Sequence, residues 1–269
     1  MATLTDVVRS YYDRHPVKEW ERLQIHRTEF ALTKRALRQY LPSPPGAVVD
    51  VGGGPGRYAI AMTRWGHAVT LVDLSEGCLT FASRRAAEAG VELHGIVQAN
   101  ALDLGAFARA AFDAALLLGP LYHLLHRGER RRAVEEVLRI VRPGGRLFAA
   151  FITRFAPFRH AVREEPEWVL REPEYARLVL ETGVHDQGQE LPQAYFARPD
   201  EVRPLMESCG LRTLLLLGCE GIASGHEERI NQLEGEAWQV WVDLNYRLGQ
   251  EASLFGASEH LLYVGERPC

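Results

Sequence analysis

Apolar positions along this chain fall into two periods. Over the first forty residues they recur at helical spacing, which predicts amphipathic helices over 4–14 and 18–40. From residue 47 the pattern becomes one of short, nearly continuous apolar runs at 47–51, 68–73, 93–98, 112–118 and 145–152. Helical stretches near 57–65, 75–89, 103–110 and 128–141 separate them. A strand covered by helices on both faces shows no polar alternation, so this order predicts an α/β protein built on a mostly parallel sheet. Pro143-Gly144-Gly145 stops the fourth of those helices before the fifth strand. A helix opening at Pro199-Asp200 and ending at Gly210, an apolar strand over 211–219 and a last strand over 260–266 complete the sheet pattern. Three regions lie outside it: the N-terminal helices, 153–198 and 222–256. In the last of these Trp238, Trp241 and Tyr246 follow helical spacing and read as a core stripe.

The first strand run leads into Asp50-Val51-Gly52-Gly53-Gly54-Pro55-Gly56, with an acid and three glycines at alternate positions. Glycines there allow positive φ and let a ligand approach the main chain. Pro55 removes an N–H that a pyrophosphate would use, and the Asp50 carboxylate repels phosphate, so the turn favours an uncharged or cationic ligand head. The second run ends in Asp73, about twenty positions on, where an acid accepts from ribose hydroxyls. Ser75 and Glu76 behind it open the next helix, whose N-terminus equally favours a carboxylate.

With Leu71-Val72-Asp73-Leu74-Ser75, Gln98-Ala99-Asn100-Ala101-Leu102-Asp103, the run from Phe112 through Gly119-Pro120-Leu121-Tyr122-His123-Leu124, and Val141-Arg142-Pro143-Gly144-Gly145-Arg146-Leu147, these motifs follow in order over about 46–152. The chain resembles a class I S-adenosylmethionine-dependent methyltransferase of the small-molecule branch. The resemblance implies a Rossmann-like seven-stranded sheet of order 3-2-1-4-5-7-6 with the last strand antiparallel. It further implies one domain over 1–269: a helical cap over 1–41, a cofactor-binding core over 46–152, and helical lid insertions at 153–198 and 222–256. S-adenosyl-L-methionine is the implied cofactor. Asp50 and the backbone of Gly52, Gly53 and Gly54 would hold its methionine end, and Asp73 its ribose. Asn100 would meet the adenine amine where the family commonly has an acid, and the Ala101 amide would face adenine N1. Leu74 and Leu118 belong to the same set. A tyrosine of the first helix, Tyr11 with Tyr12 beside it, would reach the methionine end. Trp20 and Arg22 complete an aromatic and basic group there.

Gly119-Pro120-Leu121-Tyr122-His123 resembles the loop of small-molecule methyltransferases and departs from the N/D-P-P-Y/F loop of enzymes that methylate bases or amides. His123 is the candidate catalytic proton acceptor, since imidazole titrates near neutrality, and Tyr122 the candidate for orienting substrate. The expected reaction is in-line displacement on the sulfonium methyl, which requires no metal. A nicotinamide-dependent oxidoreductase would share the sheet and Asp73, but Asp50 and the downstream motifs oppose it. A non-catalytic S-adenosylmethionine-binding protein would keep every motif.

Composition narrows the partners. A net charge of −4 with 25% charged residues gives no general attraction to nucleic acid. The basic run Arg127, Arg130, Arg131 and Arg132 is interleaved with Glu129, Glu135 and Glu136, as on a solvated, internally paired helix face. A small-molecule methyl acceptor is therefore expected, with neither nucleic acid nor membrane as partner, and a homodimer contact is the competing use of the insertions. Cys78, Cys209, Cys219 and Cys269 are scattered, which indicates neither zinc nor disulfides. The start of the chain carries no leader pattern and no window reaches the roughly 18 apolar residues of a membrane span, so a cytoplasmic location is expected. His185 and His226 receive no role.

Overall fold

The computed structural model describes residues 4–186 and 192–269. Three helices come first: α1 (Leu4–Arg14), α2 (Pro16–Ile25) and α3 (Arg27–Tyr40). The alternating unit follows as β1 (Ala47–Val51), α4 (Arg57–Arg64), β2 (Ala68–Asp73), α5 (Glu76–Glu88), β3 (Gly95–Gln98), β4 (Phe112–Leu117), α6 (Arg127–Ile140) and β5 (Val141–Ile152). Next come α7 (Ala156–Glu164), α8 (Trp168–Arg171), α9 (Pro173–Thr182) and the short pair β6 (Val184–His185) and β7 (Ala194–Tyr195). The chain closes with α10 (Pro199–Ser208), β8 (Arg212–Gly218), α11 (Glu227–Asn231), α12 (Gly235–Leu248) and β9 (His260–Glu266).

The main sheet has the order β3-β2-β1-β4-β5-β9-β8, the predicted topology once the small β6–β7 pair is set aside. Strands β1 to β5 pair in parallel, and β9 runs antiparallel between β5 and β8. One core layer packs β1, β4 and β5 against α6 and α10, and the other packs the opposite face against α3, α4 and α5. Burial on both faces explains the unbroken apolar runs. No helix of the described residues is long and apolar enough to cross a membrane.

Several elements differ from expectation. The helix over 18–40 breaks at His26, whose φ of −88° and ψ of 58° leave the helical region while its ring nitrogen meets Glu227 at 2.9 Å. No helix forms over 103–110: Asn100 Oδ1 accepts the Leu102 amide and Asp103 Oδ1 the Gly105 amide, so side chains compete with helical bonding, and Ala110 has φ +56°. Strand β5 begins at Val141, with Pro143-Gly144-Gly145 inside its span.

The basic run on α6 is only partly a solvated face. Arg131 pairs with Glu135 at 2.7 Å as expected, but Arg130 is buried, donates to the Leu124 and Leu125 carbonyls and lies over the Tyr195 ring. In 222–256, α12 packs on α3: Arg27 lies over Trp238, Tyr246 donates to Gln39 at 2.8 Å, and Arg35 pairs with Asp243. Residues 187–191 of the other insertion lie outside the described residues.

Candidate active site

A cavity opens beyond the carboxyl ends of β1, β2 and β4, where open α/β sheets bind ligands. Its floor is the glycine turn. Gly52 has φ +68°, and a β-carbon there would collide with the Pro120 ring, so both conformation and space demand glycine. Gly52 and Gly53 donate to the Val72 carbonyl, which ties the first corner to the second. Asp73 completes that tie, accepting the Gly54 amide on one oxygen and the Ser75 amide on the other, each at 2.8 Å. Burial raises its pKa to about 6 against the pull of those amides.

Asp50 is 1% exposed and its carboxylate makes no well-formed hydrogen bond, the Ala59 backbone being the one donor near it. Burial and then the Asp73 charge push it up to about 7, with the Ala59 backbone alone favouring ionisation. Arg57, the first residue of α4, also borders the cavity, with Nη1 buried and unpartnered and its guanidinium near the Trp20 and Phe30 rings at 4.7 and 5.3 Å. Among the described residues, these two supply the only buried side-chain polar atoms on the cavity wall that lack a partner. The wall thus presents an unmatched acid and an unmatched base. Leu74, Asn100, Ala101 and Leu118 line the same space. Asn100 has already committed one lone pair of its oxygen to the Leu102 amide at 2.9 Å.

The roof comes from α1 and α2. Tyr12, not Tyr11, faces the cavity; Tyr11 packs its ring against His15 and places its hydroxyl 3.4 Å from Lys18. Tyr12 Oη lies 2.7 Å from His123 Nε2, and His123 Nδ1 lies 2.9 Å from the Gln193 carbonyl oxygen. A carbonyl only accepts, so Nδ1 carries the proton and Nε2 accepts from the tyrosine. Burial pushes His123 down to about 4. Both ring nitrogens are engaged, which removes the lone pair that the expected proton acceptor needs. Tyr122 also lines the cavity. Of the two expected lid insertions, 153–198 contributes Gln193 to the wall, while no described residue of 222–256 does, because that region is spent on α3.

A family model for a methyltransferase domain matches residues 48–145. A ubiquinone biosynthesis O-methyltransferase of Xylella fastidiosa is 30% identical over 203 residues, covering 75% of this chain and 73% of the relative. This chain belongs to the class I S-adenosylmethionine-dependent methyltransferases. A methyltransferase of the same name from Caulobacter vibrioides is 31% identical over 159 residues, 59% of this chain, and the match spans only 56% of the relative's length. A solved S-adenosylmethionine-dependent methyltransferase from Methanosarcina mazei shares the fold at a TM-score of 0.59 and 17% identity, over 87% of this chain and 97% of that one.

The wall also ends a charged chain of side chains that sequence patterning did not reveal. Arg22, on the cavity wall, makes a two-pronged contact with Glu29 at 2.7 and 3.1 Å. Glu29 lies 3.8 Å from His260, which pairs with Glu220 at 2.6 Å. Glu220 in turn accepts the Glu259 and His260 amides. Burial opposes charge at Glu29, but Arg22 and His260 hold it down at about 2; burial likewise opposes charge at His260, which Glu29 and Glu220 hold up at about 9. Glu29, Glu220 and His260 bring potential metal-ligating atoms within 4.8 Å of one another. Their charges are already matched by Arg22 and a protonated imidazole. The only sequence signal was the pair Arg22 and Glu29 seven residues apart, which meets because the helix breaks at His26.

Proposed function

We propose that this methyltransferase binds S-adenosylmethionine in the cavity and passes its methyl group to a small-molecule nucleophile. The observation that carries the reading is the unmatched pair Asp50 and Arg57 flanking the glycine turn. A free amino acid end, ammonium and carboxylate together, supplies one partner to each, and neither NAD nor a phosphate does so. When bound, the cofactor supplies a methyl already activated on a sulfonium.

In this reading the backbone of Gly52, Gly53 and Gly54 lies along the methionine end, and the remaining lone pairs of Asp73 accept from ribose hydroxyls. Leu74, Ala101 and Leu118 enclose a flat base whose amine donates to the second lone pair of Asn100. Tyr12, held by neutral His123, closes the roof and excludes water, while Tyr122 faces the acceptor. The protein's contribution is then alignment and desolvation. We place the enzyme in the cytoplasm, acting on a diffusible metabolite; its net charge of −4 suits that better than a polyanionic substrate.

Calorimetry with S-adenosylhomocysteine tests the reading. Wild type is expected to bind, and Asp50→Asn to lose about 1.5–3 kcal/mol of affinity, the usual worth of a hydrogen bond to a charged group. Equal affinity in the two proteins, or no binding to wild type, would refute it.

A further inference from the structure

Resting on that reading, we propose that Glu19 is the catalytic residue that takes the acceptor's proton, and that the acceptor is a phenolic hydroxyl held between Glu19 and Arg22. Glu19, Arg22 and Leu23 lie on one face of α2, at i, i+3 and i+4, and all three line the cavity. The Glu19 side chain is 18% exposed, and its ionic contact is Arg22 Nε at 3.9 Å, beyond hydrogen-bond reach. The Arg22 guanidinium is instead committed to Glu29, which fixes it in place and leaves the Glu19 carboxylate available to a ligand.

Among the described residues of the cavity wall, the other acids and the imidazole have other uses: Glu129 closes a capping box on the His126 amide at the start of α6. His123 has both nitrogens engaged, and Asp73 is bonded on both oxygens to backbone amides. Asp50 lies beneath the glycine turn, where the cofactor's ammonium matches it. Burial raises the Glu19 pKa above the ordinary glutamate value despite the opposing Arg22, which makes it a better proton acceptor than a surface carboxylate.

The neighbouring cation selects the acceptor. Arg22 repels an ammonium but stabilises an oxygen that gains negative charge as its proton leaves. A phenol, with a pKa about that of tyrosine near 10, is within reach of a carboxylate acting in concert with methyl arrival, which an alkyl alcohol is not. Leu23, Pro120, Tyr122 and Leu124 supply apolar wall for an aromatic ring. As the acceptor's oxygen–carbon bond forms, the sulfur–carbon bond breaks with its electron pair staying on sulfur. The hydroxyl proton passes to Glu19, and the products are a methyl ether, S-adenosylhomocysteine and a neutral glutamic acid.

The test is single-turnover methyl transfer by the full chain into catechol, hydroxybenzoates and their amine and thiol counterparts, followed across pH 4.5–9. Methylation is expected on the hydroxyl compounds only, with a rate that rises through a midpoint above the ordinary glutamate pKa. Glu19→Gln should bind S-adenosylhomocysteine within twofold of wild type by calorimetry, react at least tenfold more slowly and lose that rising limb. His123→Asn should keep the limb. An unchanged rate and limb in Glu19→Gln, or loss of the limb in His123→Asn alone, would overturn the proposal. So would transfer to amines or thiols alone, or to nothing in the panel while S-adenosylhomocysteine still binds. Failure of wild type to bind S-adenosylhomocysteine would instead strike the reading of the cavity itself, and this proposal with it.

Discussion

At the scale of single residues, Asp50 sets function against stability. Its folded pKa of about 7, like the value of about 6 at Asp73, lies above the ordinary 3.8. A carboxyl raised in this way favours the fold most below its unfolded pKa, and that contribution is lost as pH rises through the folded value. Asp50→Asn should therefore stabilise the ligand-free protein at pH 8, on the order of 2 kcal/mol, and move its melting temperature upward. A bound ammonium reverses the sign, since it needs the carboxylate ionised: wild-type affinity for S-adenosylhomocysteine should rise between pH 5.5 and 8, and that of Asp50→Asn should rise less and level off sooner, keeping only the part that Asp73 contributes near pH 6. Calorimetry and thermal melts over this range check both halves. The spacing of Asp50 and the glycines was legible because it is a local requirement of one turn. The isolation of Arg57 was not, because it depends on Trp20 and Phe30 from α2 and α3. The tautomer of His123 was equally hidden, being set by Gln193 seventy residues away. Choosing Tyr12 over Tyr11 required knowing which face of α1 meets the sheet.

At the scale of elements, α1 is a cover fastened by polar contacts. It has no buried residue, yet Leu4, Val8 and Tyr12 line the cavity from it. Asp13 does the fastening: one carboxylate oxygen accepts the Ser75 hydroxyl at 2.7 Å and the Gly77 amide at 3.0 Å, so a residue of α1 caps the N-terminus of α5 beside Ser75. A β-carbon at Gly77 would come within 2.7 Å of the Asp13 carbonyl oxygen, so the approach depends on glycine. Removing a cap costs about 1 kcal/mol. For Asp13→Ala the expected outcome is local: faster proteolytic cleavage within α1 and faster release of S-adenosylhomocysteine in stopped flow, with the global melting temperature little changed. A cooperative loss of the whole fold would show that α1 is part of the core instead. The helical period of α1 was plain in sequence, whereas its fastening was not, because Asp13 and Ser75 meet only when both corners of the sheet are built. The missing helix over 103–110 failed for the opposite reason, short-range side-chain bonds at Asn100 and Asp103 that apolar periodicity does not register.

At the scale of the whole molecule, parallel strands and crossover helices left few topologies open, and the expected strand order holds with the central runs β1, β2 and β4 buried on both faces and the half-exposed β3 at the edge. What joins α2, the second helix of the roof, to the far edge of the sheet is the chain Arg22–Glu29–His260–Glu220, reaching from the cavity wall to the segment between β8 and β9. Opposite charges alternate along it, so its strength depends on His260 staying protonated. His260 is raised from 6.5 to about 9, so its contribution is complete below pH 6.5 and disappears as pH climbs through 9. Glu29 is lowered to about 2, so its contribution is complete above 4.5 and disappears as pH falls through 2. Wild type should accordingly be most stable between about pH 4.5 and 6.5 as far as this chain decides. In His260→Gln, Glu29 and Glu220 are left facing each other with one cation fewer, and breaking a buried pair in this way costs about 3–5 kcal/mol. Urea denaturation from pH 6 to 10 should show wild-type stability declining toward pH 10 and the variant lower at pH 6 but nearly level across the range. Parallel slopes in the two proteins would mean that the alkaline loss arises elsewhere and that His260 is neutral in the fold. Because Arg22 stands at the cavity end of the chain, the same variant should also weaken the hold on Arg22 and slow methyl transfer, without altering the cradle at Asp50 and Arg57.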